Sequence, residues 1–334
     1  MIAALVVFGY AVLVAWLLPA VLTPLTESGS GARLGIAVWL TGMTSVLVSA
    51  GVAVALLIRS AVTGWSRFAE ALCRSVAGTS CTPVVYRSAL YELGLAAAAL
   101  IATVAGLMLT WRYGRRVQQA RRSTRAHAEA ARITGRPDTS AMGVVVLDTT
   151  QPAAYCVPGR PGTIVVTSGA LAVLAPRQLG AVLAHERAHL SGRHHLLTGL
   201  TRCLAAVFPP VPMFRQGSSE VSRLAEMSAD DAAARRAGRR PLIEALLAIG
   251  TGAAIAGEPG VGERGAREPG VGEPGAGEPG LALAVAGYAV AARVHRLLDP
   301  PRRARRVRLA LVLTSVLAVL PVVSGLVFAL AAAA

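Results

Sequence analysis

Residues 2–22, 34–58, 93–111 and 309–330 are four apolar stretches without a single charged side chain. Each is long enough to cross about 30 Å of hydrocarbon as a helix. A backbone in lipid must satisfy its own hydrogen bonds, so helices are what such stretches can become. Charged residues make up 15% of the 334, against about 25% in soluble domains, so a wholly soluble enzyme is not expected. The first stretch lacks a basic leader and is expected to be a retained anchor rather than a cleaved signal peptide.

The arginines set the expected orientation. Eight fall in residues 112–136, directly after the third stretch, and five in 302–308, directly before the fourth. Basic residues flank membrane helices on the cytoplasmic side, which places 112–308 in the cytoplasm and 59–92 outside as a loop. The net charge of +15 is thus explained by membrane flanks, and no nucleic-acid partner is expected. The four cysteines, 73, 81, 156 and 203, form no C-x-x-C pair, so neither a cysteine zinc site nor a disulfide scaffold is indicated. A Cys73–Cys81 disulfide in the external loop is compatible with the oxidising side of the membrane.

Three units follow: 1–111 with three transmembrane helices and the external loop 59–92, 112–308 as a cytoplasmic domain, and 309–334 with a fourth helix. Within the middle unit, 112–136 reads as a juxtamembrane helix. Residues 143–148 and 163–167 are β-branched runs between turn residues and read as strands. Pro176 suits the first turn of a helix through the 180s, and a second helix over about 219–237 stops at Gly238. Residues 257–280 repeat Gly, Glu and Pro with a period of five. Such a composition cannot bury a core and reads as a disordered insertion.

The chemistry lies in His185-Glu186-Arg187-Ala188-His189, a full HExxH. On a helix, positions i and i+4 share a face, so His185 and His189 can hold one Zn2+ ion. Zinc makes a water acidic near neutrality, and Glu186 is placed to take its proton as general base. A third protein ligand is required. Residues 185–195 also satisfy HExxHxxGxxH, which offers His195, while Glu226 lies on the later helix with Asp230 one turn on. If the helix runs on through Leu196–Leu200, His195 is ten residues, about 15 Å, from His185. That is too far to share a zinc, and it favours Glu226.

Pro152–Cys156, Thr163–Leu171, the HExxH helix and Glu226-x-x-x-Asp230 together resemble the membrane zinc metallopeptidases of the HtpX and CAAX-prenyl-protease kind. The four-span layout is similar to the BlaR/MecR sensor-transducer peptidases, whose protease domain lies between the third and fourth spans. The resemblance implies a gluzincin, with zinc on His185, His189 and Glu226, Glu186 as base and Asp230 orienting a histidine ligand. It implies that the strand near Ala154–Cys156 lies beside the substrate. It also implies that Arg293, in Arg293-Val294-His295-Arg296-Leu297, helps hold the oxyanion. Ala153 stands where the family often has Asn. Four residues follow the fourth stretch, so no C-terminal sensor domain is expected.

The fold class expected is therefore mainly α: a four-span membrane protein with a cytoplasmic α+β zincin-like metalloprotease domain between spans 3 and 4. The expected function is an integral membrane zinc metalloendopeptidase acting on protein or peptide substrates in contact with the lipid bilayer. Two alternatives remain: a signal transducer that cleaves a cytoplasmic transcriptional repressor, and a non-catalytic membrane scaffold with a vestigial site.

Overall fold

Three long helices carry the first three apolar stretches in the computed structural model. It describes residues 2–29, 31–76, 83–137, 143–159, 162–256, 290–299, 310 and 312. They are α1 (Ile2–Thr26), α2 (Ala32–Val76) and α3 (Pro83–Thr134). Segments Ile2–Thr26, Ala32–Trp65 and Leu90–Ala126 are long and apolar enough to cross a membrane. They expose large apolar side chains such as Phe8, Leu17, Leu100, Ile101 and Leu107. Contiguous apolar surface of this extent needs a nonaqueous cover. The repeat 257–280, Cys81 and, apart from residues 310 and 312, the fourth apolar stretch lie outside what is described, so the Cys73–Cys81 pairing does too.

Residues 59–76 and 83–92, expected as loop, are helical and continue α2 and α3. The reason is visible in Val62, Trp65, Phe68 and Leu72, apolar residues at helical spacing. The Arg-rich stretch after 111 likewise extends α3 without a break. At that boundary Arg115 lies over the Trp111 ring, 4.7 Å from its centroid, a cation–π contact suited to an interfacial anchor.

A four-stranded sheet follows. Its strands are β1 (Arg136–Pro137), β2 (Val144–Leu147), β3 (Ala154–Val157) and β4 (Thr163–Thr167), in the order β1-β2-β4-β3. β2 and β4 pair in parallel, while β3 pairs antiparallel with β4 and forms an edge. The Thr167 hydroxyl fixes that edge. It donates to Gln151 O at 2.8 Å, accepts from Ala153 N at 2.9 Å, and caps the short helix α4 (Ser168–Val173) by accepting from Ala170 N at 3.1 Å.

Four more helices complete the order: α5 (Pro176–Ser191), α6 (His194–Val207), α7 (Pro212–Ala237) and α8 (Arg239–Ala256); residues 290–298 are also helical. One face of the sheet buries Val144, Ile164 and Val166 against Val182 and Leu183 of α5 and Ala245 of α8. α7 starts seven residues earlier than the sequence pattern suggests. Its first half packs Met213, Phe214, Val221 and Leu224 against Val14, Leu22, Trp39 and Met43 of α1 and α2.

The turn between α1 and α2 is clasped by two arginines. Arg223 of α7 donates to the carbonyls of Thr26 at 2.8 Å and Glu27 at 2.7 Å. Arg296 donates to Gly29 O at 2.9 Å and holds both Asp231 oxygens at 2.9 Å. Gly29 has φ +62, a left-handed conformation that favours glycine, and a Cβ there would meet the Met227 and Arg296 side chains.

Candidate metal centre

α5 has a well-defined start. Pro176 occupies its first turn, and Gln178 Oε1 accepts the Ala175 N–H at 2.9 Å. Both features satisfy or remove donors that a helix N-terminus leaves unpaired. Ala181 and Ala184 on α5 and Ala233 on α7 are buried together. Small side chains at a helix crossing let the axes approach closely. The polar residues beside that crossing are therefore driven together.

The result is a triangle of donor atoms. His185 Nε2 and His189 Nε2 are 3.0 Å apart. Glu226 sets Oε2 3.5 Å from the first and Oε1 3.4 Å from the second. Tetrahedral bonds of about 2.0–2.1 Å to zinc put neighbouring donors about 3.3–3.4 Å apart. Three N/O donors with this spacing fit a zinc ion held by two imidazoles and a carboxylate. Among the described residues, His185, His189 and Glu226 form the His/Cys/Asp/Glu group able to hold a metal.

Asp230 and Arg293 surround this triangle. Asp230 Oδ1 lies 3.1 Å from His185 Nδ1, at ion-pair distance but off line for a straight hydrogen bond. Arg293 grips Asp230 with both ends of its fork, Nε to Oδ2 at 2.8 Å and Nη2 to Oδ1 at 2.6 Å. Its remaining Nη1 lies 3.4 Å from Glu226 Oε2. The residue expected near the oxyanion is thus in the site, with two of its nitrogens committed to Asp230.

The electrostatics follow from burial and these contacts. Burial works to lower His185, but its contacts with Asp230 and Glu226 outweigh it and raise the imidazole to about 9. Burial works to raise Glu226, yet hydrogen bonds from His185 and His189 hold it well below the usual carboxylate range. Asp230 is likewise held down, against its burial, by Arg293 and His185. Glu186 moves the other way. Burial raises it, and the nearby histidines only partly oppose that. Cys156 of β3 faces Glu186, and burial followed by that carboxylate pushes its thiol up to about 12.

The expected continuous helix past residue 191 is not found. α5 ends at Ser191, the Gly192 N–H closes onto Ala188 O at 2.9 Å, and Arg193 adopts a left-handed conformation with φ 49. The chain turns and α6 begins at His194. The 15 Å argument against His195 therefore fails. His195 is absent from the metal-holding group even so, and its Nδ1 is buried without a hydrogen-bond partner. The histidine that the HExxHxxGxxH spacing does not mark is His194, whose Nδ1 lies 3.0 Å from His189 Nδ1. Gly192, a helix-stop residue, was the available signal.

Asp230 is 1% exposed and ties Arg293 to the site. Breaking a buried pair by removing one partner costs about 3–5 kcal/mol. Asp230→Ala is expected to lower the stability of the metal-free protein by about 3 kcal/mol, because Glu226 still faces Arg293. Chemical denaturation in detergent with excess chelator measures this. An unchanged midpoint would show that Arg293 is solvated and not dependent on Asp230.

The profile of Peptidase family M48 matches residues 117–209, which include the HExxH helix but end before Glu226, Asp230 and Arg293. The chain is 32% identical over 109 residues to a protein described as "Protease HtpX homolog" from Moorella thermoacetica. That match covers 32% of this chain and 35% of the relative, so the chain spans about a third of the length of the curated relative it matches. No solved structure matches the chain. The resemblance to HtpX-type membrane metallopeptidases thus holds over the region where the motif lies, and it accords with three membrane-length helices.

Proposed function

We propose that this chain is an integral membrane zinc metalloendopeptidase whose active site faces the cytoplasm, in a domain spanning 112–308 between a third and a fourth membrane helix. The observation that carries the reading is the convergence of His185, His189 and Glu226 from two helices at 3.0–3.5 Å. A zinc ion held there by His185, His189 and Glu226 would supply a Lewis acid and would make water acidic near neutrality. Glu186, next to His185, would act as the general base that accepts a proton from water and returns it to the leaving amine. Its burial raises its proton affinity towards the range useful for both tasks. Asp230 holds His185, and Arg293 holds Asp230 and faces Glu226, with Nη1 the atom available to charge developing on a substrate carbonyl.

β3 borders α5 and is an edge strand. An extended peptide can add to such an edge through its backbone, which would bring its carbonyls past Glu186. A protein segment with local extended structure is the substrate this favours. The clasp of Arg223 and Arg296 on the α1–α2 turn favours a second layer to this reading, signal transduction through the membrane. Asp231, held by Arg296, is next to Asp230, held by Arg293. Displacement of the α1–α2 hairpin would thereby reach the metal site. A cytoplasmic repressor is a fitting substrate for such a switch.

Two experiments test the proposal. The purified full-length chain should cleave an unfolded protein, lose that activity to a chelator and regain it with zinc; activity indifferent to chelator would overturn it. Because Cys156 is only partly exposed and its thiol poorly ionised, orientation is better read at an introduced site. In a chain with Cys73 and Cys81 replaced by Ser, Ser123→Cys on the exposed part of α3 should react with an impermeant maleimide only after cells are permeabilised. Reaction in intact cells would place this domain outside.

A further inference from the structure

We propose that His194 is a positioning residue for the metal ligand His189: its Nδ1 accepts the Nδ1–H of His189 and so leaves His189 Nε2 unprotonated and aimed at Glu226 and His185. The proposal rests on the zinc reading above and extends it to a residue outside the HExxH motif.

An imidazole binds a metal through the nitrogen that carries no hydrogen, and the partner of the other nitrogen decides which one that is. For His185, Nδ1 faces Asp230 Oδ1 at ion-pair distance, 3.1 Å. For His189, Nδ1 lies 3.0 Å from His194 Nδ1, with the rings edge-on at 89° and centroids 4.9 Å apart. Two ring nitrogens at that distance are bonded only if one of them carries the proton. Were His194 the donor, the proton of neutral His189 would sit on Nε2. That atom faces His185 Nε2 at 3.0 Å and Glu226 Oε1 at 3.4 Å, so the triangle would be blocked. With His189 as donor, all three donor lone pairs converge.

The local backbone is built to place this ring. A Cβ at Gly192 would collide with His194 Nε2, so a side chain at 192 would exclude the ring from its position over the end of α5. Arg193, in its left-handed conformation, reverses the chain. Residue 194 therefore falls beside His189, and His195 does not. His194 is 6% exposed, so water cannot easily replace it as the acceptor.

The test compares His194→Leu, His194→Gln and His194→Asn with the parent, as full-length proteins in detergent. Zinc affinity is measured by competition with a chromogenic chelator, and melting of the metal-free proteins is followed in excess chelator. An asparagine oxygen can sit near the lost Nδ1, whereas a glutamine oxygen sits near Nε2. Leu and Gln are expected to weaken zinc roughly tenfold to a hundredfold, with Asn within about threefold of the parent. The metal-free Gln and Asn proteins should melt alike. If Leu fails to fold, the contrast of Gln with Asn still decides. Equal zinc affinity in all four proteins, or equal loss in Gln and Asn, would overturn the role. A parent that binds no zinc would instead overturn the zinc reading itself.

Discussion

Glu186→Gln is expected to lower peptide hydrolysis by about a hundredfold to ten-thousandfold while zinc remains bound. The amide has nearly the shape of the carboxylate but cannot accept the proton of water at neutral pH. The proposed ligands His185, His189 and Glu226 are untouched, so metal content measured by plasma mass spectrometry should match the parent. The site of Glu186 is 8% exposed, and no other described carboxylate on α5 could substitute. Loss of both zinc and activity would mean that Glu186 supports the site structurally. Retention of activity would remove the general base from the account.

Glu226→Ala is expected to weaken zinc strongly, by a hundredfold or more on the order of a lost ligand, while His195→Ala leaves zinc affinity near that of the parent. Glu226 offers both oxygens to the two histidines at 3.4 and 3.5 Å. His195 belongs to a separate helix start and joins none of these contacts. The reverse outcome, zinc kept without Glu226 and lost without His195, would mean that the turn at Gly192–Arg193 swings His195 to the metal. Equilibrium dialysis against buffered zinc measures both variants under the same conditions.

How far the sequence reveals this site depends on how local each part is. His185, Glu186 and His189 lie within one turn and a half of helix, and the HExxH spacing exposes them directly. The strands Val144–Leu147 and Thr163–Thr167, and the start of α5 at Pro176, are legible for the same reason: β-branched runs and a proline act locally. Glu226 and Asp230 stand in the sequence only as one of two candidate sets, a Glu and an Asp at i and i+4 on a later helix, and the resemblance implied their roles. The Asp230–Arg293 fork joins residues 63 apart, and the clasp of Arg296 on Gly29 joins residues 267 apart. Pairings of that range are set by helix packing, not by spacing. The break at Gly192 was masked by the apolar run Leu196–Leu200, which suggested one long helix. The same run hides the position of His194. Hydropathy marks where α2 and α3 can cross lipid but not how far they continue into 59–92, where the apolar spacing is helical.

The central claim is that two histidines and one glutamate hold a catalytic zinc in this chain. X-ray absorption at the zinc edge of the purified full-length protein measures that shell directly. The account predicts one zinc per chain with nitrogen and oxygen neighbours only, at about 2.0–2.1 Å, and the scattering pattern of two imidazole rings. Protein purified without zinc, or a sulfur neighbour at about 2.3 Å, which would bring Cys156 into the shell, would contradict it.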